Sequence, residues 1–323
     1  MAAGGDDIFV YLGGEQVVPD GVTHAIIDPS VNTVRRRAFT NRRHLISVIF
    51  HDGVEIVEQE AFDGCVSLPR IKLLGVREIG HNAFSGCAAL SDVEFGGKLE
   101  TIGKYAFHYC NSLRSIKSLS VRNIQERAFR HCWQLRDVEF GVDLETIGIE
   151  SFNDCEHLKR IVLPLKDDLF LFDTDKQRYS QFDGCSNFSI VDIAEAVGTH
   201  KTISSFLMKT WRDEMNQEID RINRELPSTH SVHMTNKLRL WIRSVINRIS
   251  HYKAEHKKLL KEHMTLLELA VWKAKLDERD DSSTLKVQTK RARIDEESSR
   301  EEKRITSGAD IIIKNVLPFL KLA

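Results

Sequence analysis

Cysteine carries the most reactive side chain in this sequence, and its six copies recur at a nearly regular interval. Each cysteine follows a phenylalanine by three residues, in the pairs Phe62/Cys65, Phe84/Cys87, Phe107/Cys110, Phe129/Cys132, Phe152/Cys155 and Phe182/Cys185. An even number of thiols could form disulfides or bind a metal. However, the sequence has no Cys-x-x-Cys pair, which zinc sites usually contain. A structural repeat explains the spacing, so we expect buried, reduced thiols inside each turn.

The cysteines belong to a repeat of 22–23 residues, which lengthens to 30 before the last copy. Each copy reads L-x-x-I/V-x-L/F, a turn, and then I/V-x-x-x-A-F-x-x-C-x-x-L. Alternating apolar and polar residues in the first half are typical of a short strand with one buried face. No copy can bury that face alone, so the copies must stack. We therefore predict an α/β repeat solenoid of seven or eight turns with short parallel strands, followed by an α-helical hairpin.

The A-F-x-x-C-x-x-L signature resembles the BspA-type leucine-rich repeat, over about residues 22–193. The resemblance implies a leucine-rich-repeat solenoid used for protein contacts or adhesion, and it brings no catalytic residues. The first copy departs from the pattern, with Arg42 at the cysteine position, and the last copy has seven or eight extra residues between Asp167 and Ser180. The C-terminal sequence is similar to helical regions of uncharacterised algal leucine-rich repeat proteins, for which no activity is defined.

The composition changes along the chain and predicts five segments. A helical periodicity replaces the strand pattern after the repeats, and a charged, serine-containing stretch that cannot bury a core comes later. The predicted segments are an N-terminal cap at 1–21, the solenoid at 22–195, a helical hairpin at 196–278, a disordered linker at 279–306 and a docking segment at 307–323.

The second helix of the hairpin, about Asn236 to Asp277, carries a heptad pattern typical of a coiled coil. The repeating positions are Leu238, Ile242, Val245, Ile249, Tyr252, His256, Leu259, His263, Leu266 and Ala270. At 1.5 Å per residue this helix would span roughly 60 Å. Two interpretations stay open: the helices form an intramolecular hairpin that covers the repeats, or the long helix forms a homodimer or binds a partner.

The outward residues of the predicted strands alternate between basic and acidic from turn to turn, because the duplicated unit spans about two turns. They are Arg70, Lys72, Asp92, Glu94, Ser115, Lys117, Asp137, Glu139, Arg160 and Val162. Stacked in register, opposite charges would attract by about 0.2–1 kcal/mol per pair. The face could therefore be a self-neutralised solvated sheet, or a charged surface that selects a protein partner. The charged members are our candidate partner-binding residues.

Composition and motifs exclude several classes of function. Lys and Arg number 46 against 47 Asp and Glu, so we expect no nucleic acid and no anionic membrane as partner. The sequence has no apolar run of membrane-spanning length and no secretory signal, which predicts a cytoplasmic protein. The basic cluster Lys290–Arg293 is a weak argument for nuclear import. Phosphate-loop, dinucleotide, zinc-protease and nucleophile-elbow motifs are missing, so we expect no enzyme, cofactor or metal.

Two hypotheses follow from these observations. The first is a non-catalytic intracellular scaffold that binds an unidentified protein through the solenoid or the long helix. The second is a ligand sensor or enzyme with its site in the insertion Asp167–Phe188, since non-repeating loops often carry function in repeat proteins. The insertion contains Phe170, Phe172, Asp173, Asp175, Arg178 and Tyr179.

Overall fold

The computed structural model describes residues 8–194 and 205–284. The chain divides into two compact units, residues 1–247 and residues 248–323. The predicted docking segment and the predicted linker beyond residue 284 lie outside the described residues. The sequence predicts that the linker begins at residue 279, but residues 279–284 continue the second helix.

The first unit begins with a parallel solenoid that has two strands in most turns. Its front strands are Ile8–Tyr11, His24–Ile27, Ser47–Ile49, Arg70–Leu73, Asp92–Phe95, Ser115–Ser118, Asp137–Phe140, Arg160–Leu163 and Ile190–Ile193. Its back strands are Thr33–Val34, Ile56–Val57, Glu78–Ile79, Thr101–Ile102, Asn123–Ile124 and Thr146–Ile147. The back strands form one six-stranded parallel sheet, whereas the front strands form hydrogen-bonded groups of three, two and four. This architecture confirms the predicted fold class.

The interior of the solenoid is the dry core that the repeat predicts. The leading apolar residue of each copy, from Val22 to Phe188, is at most 6% exposed. The phenylalanines stack in one column of nearly parallel rings, with centroids 4.8–5.6 Å apart from Phe39 to Phe182. Each such pair contributes about 0.5–1.5 kcal/mol beyond its buried area. The column therefore couples every turn to the next.

The cysteines form a second ladder beside the rings. All six thiols are buried and free. Each Sγ donates to the backbone carbonyl of the phenylalanine one turn earlier, at 3.0–3.2 Å, beginning with Cys65 on Phe39 and ending with Cys185 on Phe152. The prediction that the thiols are buried inside each turn is confirmed, and their reduced state stays a prediction. Arg42 replaces the first thiol, and its Nε donates instead to the carbonyl of Val18 at 2.9 Å.

The turn after each back strand needs two residues in the left-handed conformation. The first precedes the Ala-Phe pair, and the second follows the phenylalanine by two positions. In seven copies the second position holds Asn41, Gly64, Gly86, Tyr109, His131, Asp154 and Gly184, with φ between 57° and 77°. Glycine adopts this region freely, whereas a bulky side chain there carries strain of about 1–3 kcal/mol.

Two helices follow the solenoid. Helix α1, Ser205–Glu225, ends before a short 3-10 turn at Leu226–Ser228, and helix α2, Ser231–Thr284, contains 54 residues. Helix α2 begins five residues before the predicted start at Asn236. The earlier start follows from packing, because Met234 and Thr235 are buried and the Thr235 hydroxyl accepts from Phe182 N–H at 3.3 Å.

Helix α1 covers the edge of the last front strand. The side-chain amide of Asn223 accepts from Val191 N–H at 2.8 Å and donates to Val191 C=O at 3.2 Å. These are backbone groups that the next strand of a longer sheet would bond. One asparagine thus gives partners to the two backbone groups of Val191, which would otherwise be open to association with other strands.

Candidate interaction surfaces

The eight candidate residues lie on the front strands, six of them exposed and Glu139 and Arg160 half-buried. The strand register aligns Arg70 with Asp92, Lys72 with Glu94, Lys117 with Glu139 and Asp137 with Arg160. Two of these pairs form salt bridges, Lys72–Glu94 at 2.7 Å and Lys117–Glu139 at 2.8 Å. Arg160 bonds forward to Asp192 at 2.7 Å. We call these eight residues the charged face; its charges largely neutralise one another, and partner binding there stays a prediction.

One residue predicted to point outward does not. Val162 is 7% exposed, although strict alternation along Arg160–Leu163 places it on the solvent side. This strand lies near the C-terminal end of the solenoid, where α1 packs against the neighbouring strand. An apolar residue at this position therefore suits the covered end of the sheet, and the charged face ends at Arg160.

The insertion between Asp167 and Ser180 is held by its own polar groups. Asp173 accepts from the N–H groups of Asp175 and Lys176 at 3.1 and 3.0 Å and from the Ser180 hydroxyl at 2.8 Å. Burial alone would raise the pKa of Asp173, but these hydrogen bonds and the nearby Lys176 hold it below its ordinary value. Asp173 therefore acts as an anionic anchor of this loop.

Charged residues of the insertion also bond to the solenoid. Lys176 pairs with Glu150, and Arg178 binds Asp183 through two bonds of 2.7 Å. Both acceptor carboxylates are largely buried. Buried carboxylates require such partners, so this network has a structural role.

The same insertion contacts the N-terminal part of α2. Arg178 donates to the carbonyl of Val232 at 3.1 Å, and the guanidinium of Arg239 lies 4.7 Å from the Tyr179 ring centroid. Arg243 pairs with Asp167 at 3.2 Å. Phe170 is buried against Phe182, whereas Phe172 is exposed. Of the residues predicted to carry function in the insertion, Arg178 and Tyr179 thus connect the last turn to the helix, whereas Asp173 bonds within the insertion.

A surface that the sequence analysis missed lies on the turns of two central copies. We call His108, Tyr109, His131 and Trp133 the aromatic corner. Tyr109 and His131 occupy the second left-handed position, where three other copies have glycine. Their rings stack with centroids 4.6 Å apart, and Trp133 lies 6.4 Å from each of them. Tyr109 and Trp133 are each 42% exposed. Aligning the copies with one another would have shown both departures from glycine.

The two histidines of the aromatic corner are neutral at physiological pH. Burial, with a smaller contribution from His131 and nearby arginines, lowers the pKa of His108 from 6.5 to about 4. Burial and Arg130 also lower the pKa of His131. The corner therefore presents uncharged aromatic rings, a composition enriched at the centres of protein interfaces.

Within residues 8–194 and 205–284, no three His, Cys, Asp or Glu side chains come together in an arrangement that could hold a metal ion. In the same residues, neither helix is both long and apolar enough to cross a bilayer.

Comparison with known proteins places the repeats in a family. Solved structures similar to this chain include a leucine rich repeat protein of T. pallidum, at 29% identity and TM-score 0.38, over 52% of this chain and 81% of the other. Another is a leucine-rich repeat protein of Eubacterium ventriosum, at 20% identity and TM-score 0.44, over 62% and 50%. A third, from Bacteroides ovatus, has 20% identity and TM-score 0.37, over 58% and 63%.

The chain thus spans about half to two thirds of the length of the second and third of these proteins. A search of curated protein sequences found no match. The family described as BspA type leucine rich repeat region matches in six copies, over residues 32–159 and 118–210. These ranges together include more than half of the sequence, and the chain belongs to the BspA type leucine rich repeat family.

Proposed function

We propose that this chain is a non-catalytic, intracellular scaffold that binds a protein partner through the surface of its solenoid. The observation that carries the proposal is the aromatic corner. Two bulky residues, Tyr109 and His131, keep a left-handed backbone that glycine adopts in other copies. The left-handed backbone itself belongs to the repeat, but only here, among the seven described copies, do rings from two neighbouring copies stack at this position, beside the half-exposed Trp133.

Two further features support binding rather than catalysis. The thiols, the side chains with most nucleophilic potential, are buried, and burial raises the pKa of each of them. The polar groups of the insertion, which the alternative hypothesis would use, bond to one another, to Glu150 and Asp183, and to α2. An intracellular location suits the six free cysteines, since reducing compartments keep thiols unpaired.

The test is a comparison of Trp133→Ala with a matched control, Val66→Ala. Both residues directly follow the cysteine of their copy, and both are about 40% exposed, at 42% and 39%. The wild-type chain first captures its partner, which is then purified for affinity measurement. Removing a hot-spot tryptophan should weaken the complex by about 2 kcal/mol or more, roughly thirtyfold. Val66→Ala should bind like the wild type, and circular dichroism should show both variants folded.

Equal affinity of Trp133→Ala and Val66→Ala for the partner would contradict the proposed surface. Charge reversal then separates the charged face from the aromatic corner. Lys72→Glu disrupts the pair with Glu94, and the double variant Lys72→Glu/Glu94→Lys restores a pair of reversed order. A partner that binds the charged face should bind both variants more weakly. If the pair is purely structural, the stability lost in Lys72→Glu should return in the double variant.

Homodimerisation through α2 stays a prediction of the heptad pattern. Light scattering at a chain concentration of tens of micromolar tests it, because a dimer would have twice the 37.0 kDa molar mass of one chain. A monomeric mass at that concentration would refute it.

A further inference from the structure

A cleft of about 410 Å³ lies at the N-terminal end of the solenoid. The loop after the first front strand forms one wall, and the turn that contains Arg35, Arg36 and Arg37 forms the other. In later copies, a complete repeat copy is stacked against the equivalent segment on its N-terminal side. At this end, a loop takes that place and leaves the cleft open to ligands.

The arginine triplet is peculiar to the first copy. The corresponding triplets of the next five copies are residues 58–60, 80–82, 103–105, 125–127 and 148–150. None of them has more than one lysine or arginine. The repeat pattern therefore does not require cations here, and their concentration at the open end needs another explanation.

Ion pairs account for only part of this positive charge. Arg37 pairs with Glu60, and Arg42, which also lines the cleft, pairs with Asp20 at 3.1 Å. Among residues 8–194 and 205–284, no carboxylate lies within salt-bridge distance of the side chains of Arg35 and Arg36. Both are exposed, so two guanidinium groups at the cleft are available to a ligand.

The carboxylates of the cleft do not cancel this charge. Glu58 accepts a hydrogen bond from the backbone N–H of Arg36 at 2.8 Å, so it is already oriented by the chain. Glu15 lines the cleft on the loop side and is exposed. It opposes an anionic ligand, and this gives the test below a variant expected to bind more tightly.

Tyr11 adds a neutral donor at the floor of the cleft. The residue is 1% exposed, and its hydroxyl oxygen accepts from Arg35 N–H at 3.4 Å. Among the described residues, the hydroxyl hydrogen of Tyr11 has no acceptor. A buried hydroxyl that lines a cleft with an unused donor is suited to bond a ligand oxygen.

The loop wall is held in place before any ligand binds. The side chain of Gln16 accepts from Leu12 N–H at 2.6 Å and donates to the carbonyl of Val10 at 3.1 Å. These bonds fix the loop against the first front strand. A preformed wall lowers the entropic cost of binding.

We propose that this cleft binds a phosphate monoester, with Arg35 and Arg36 as charged donors and the Tyr11 hydroxyl as a neutral donor. The planar guanidinium group bonds phosphate oxygens in pairs. Two such groups suit the double negative charge of a phosphate monoester better than the single charge of a carboxylate ligand. The cleft also has room for the group that carries the phosphate. The phosphate could belong to a small metabolite or to a phosphorylated peptide.

Isothermal titration calorimetry with three probes tests the proposal on the full chain. The probes are free phosphoserine, a phosphoserine peptide and the same peptide without phosphate. Saturable binding that requires the phosphate supports the site. Binding of both phosphorylated probes assigns it to the phosphate alone, whereas binding of the peptide only adds peptide contacts. No saturable binding of either phosphorylated probe overturns the proposal.

Variants locate the binding. The double variant Arg35→Ala/Arg36→Ala should lose at least about tenfold in affinity, consistent with two charge-assisted contacts. The matched control, Arg114→Ala/Arg136→Ala, removes the same charge from two exposed arginines elsewhere on the solenoid. Equal weakening in both double variants would show nonspecific attraction and refute the site.

Two single variants test the hydroxyl donor and the opposing carboxylate. Tyr11→Phe keeps the ring that packs against Phe39 and should bind several-fold more weakly, whereas Glu15→Gln should bind several-fold more tightly. Wild-type affinity in both would exclude this cleft as the binding site.

Discussion

Replacing Cys110 with alanine should destabilise the chain at neutral pH more than at alkaline pH. The thiol is fully buried and donates to the carbonyl of Phe84 at 3.2 Å. The variant loses the transfer free energy of the sulfur, a weak hydrogen bond and the packing around a small cavity. Together these losses should lower the free energy of unfolding by about 2 kcal/mol near pH 7.

The pH dependence follows from the protonation of the thiol. Burial raises the pKa of Cys110 well above its ordinary value of 9.0 in the folded chain, while the unfolded chain keeps the ordinary value. A raised folded pKa gives stability that is complete below 9.0 and is lost as the pH rises above it. Near pH 9.5, ionisation in the unfolded chain removes about 0.8 kcal/mol for each such thiol. Alanine has no proton to lose, so the cost of Cys110→Ala should fall from about 2 to about 1.2 kcal/mol.

Urea unfolding followed by circular dichroism measures both values. Leu113→Ala is the matched control, because Leu113 is buried in the same copy and does not titrate. Its cost should be the same at both pH values. If the cost of Cys110→Ala is also independent of pH, the thiol ionises equally in the folded and unfolded chains, and the dry interior described above is wrong.

Three further predictions concern other parts of the fold. Gly96→Ala should lower the free energy of unfolding in urea by about 3 kcal/mol or more, because its Cβ would lie 1.8 Å from the Leu74 carbonyl oxygen. Gly97→Ala, with open space around it, should change that free energy by less than about 0.5 kcal/mol. Asn223→Ala should cost about 2 kcal/mol by leaving both backbone groups of Val191 without partners, and Asn223→Asp, which keeps the acceptor, should cost less. Stability should fall as the pH drops from 6.5 towards about 4, because His108 stays neutral in the folded chain and takes up a proton on unfolding. His108→Gln should reduce this dependence. A similar acid dependence in both proteins would refute the lowered pKa of His108.

Most of the solenoid is predictable from the sequence because its repeat has a nearly constant length. Copies of equal length must align equivalent residues on adjacent strands, so the pairs Lys72–Glu94 and Lys117–Glu139 follow from spacing alone. Burial of the thiols follows for the same reason. The strand period decides which side chains face inward, and the stacking of turns then encloses them.

The remaining features depend on contacts that no repeat encodes. Val162 is buried near the end of the sheet against which α1 packs, and the pattern within its own strand cannot show this. The bond from Arg178 to Val232, which joins the insertion to α2, likewise depends on a residue 54 positions away. Tyr109 differs, because its departure from glycine is visible in the sequence once the copies are compared at the second left-handed position.

The alternation of charge along the front strands restricts how this protein can change in length. Loss of a single copy, such as the one with Asp92 and Glu94, would place Lys72 beside Lys117 and bring like charges into contact. Loss of two neighbouring copies, those with Glu94 and Lys117, would instead place Lys72 beside Glu139 and keep opposite charges in contact. Evolutionary insertions and deletions in this solenoid should therefore occur in steps of about 45 residues, and relatives should differ by even numbers of turns.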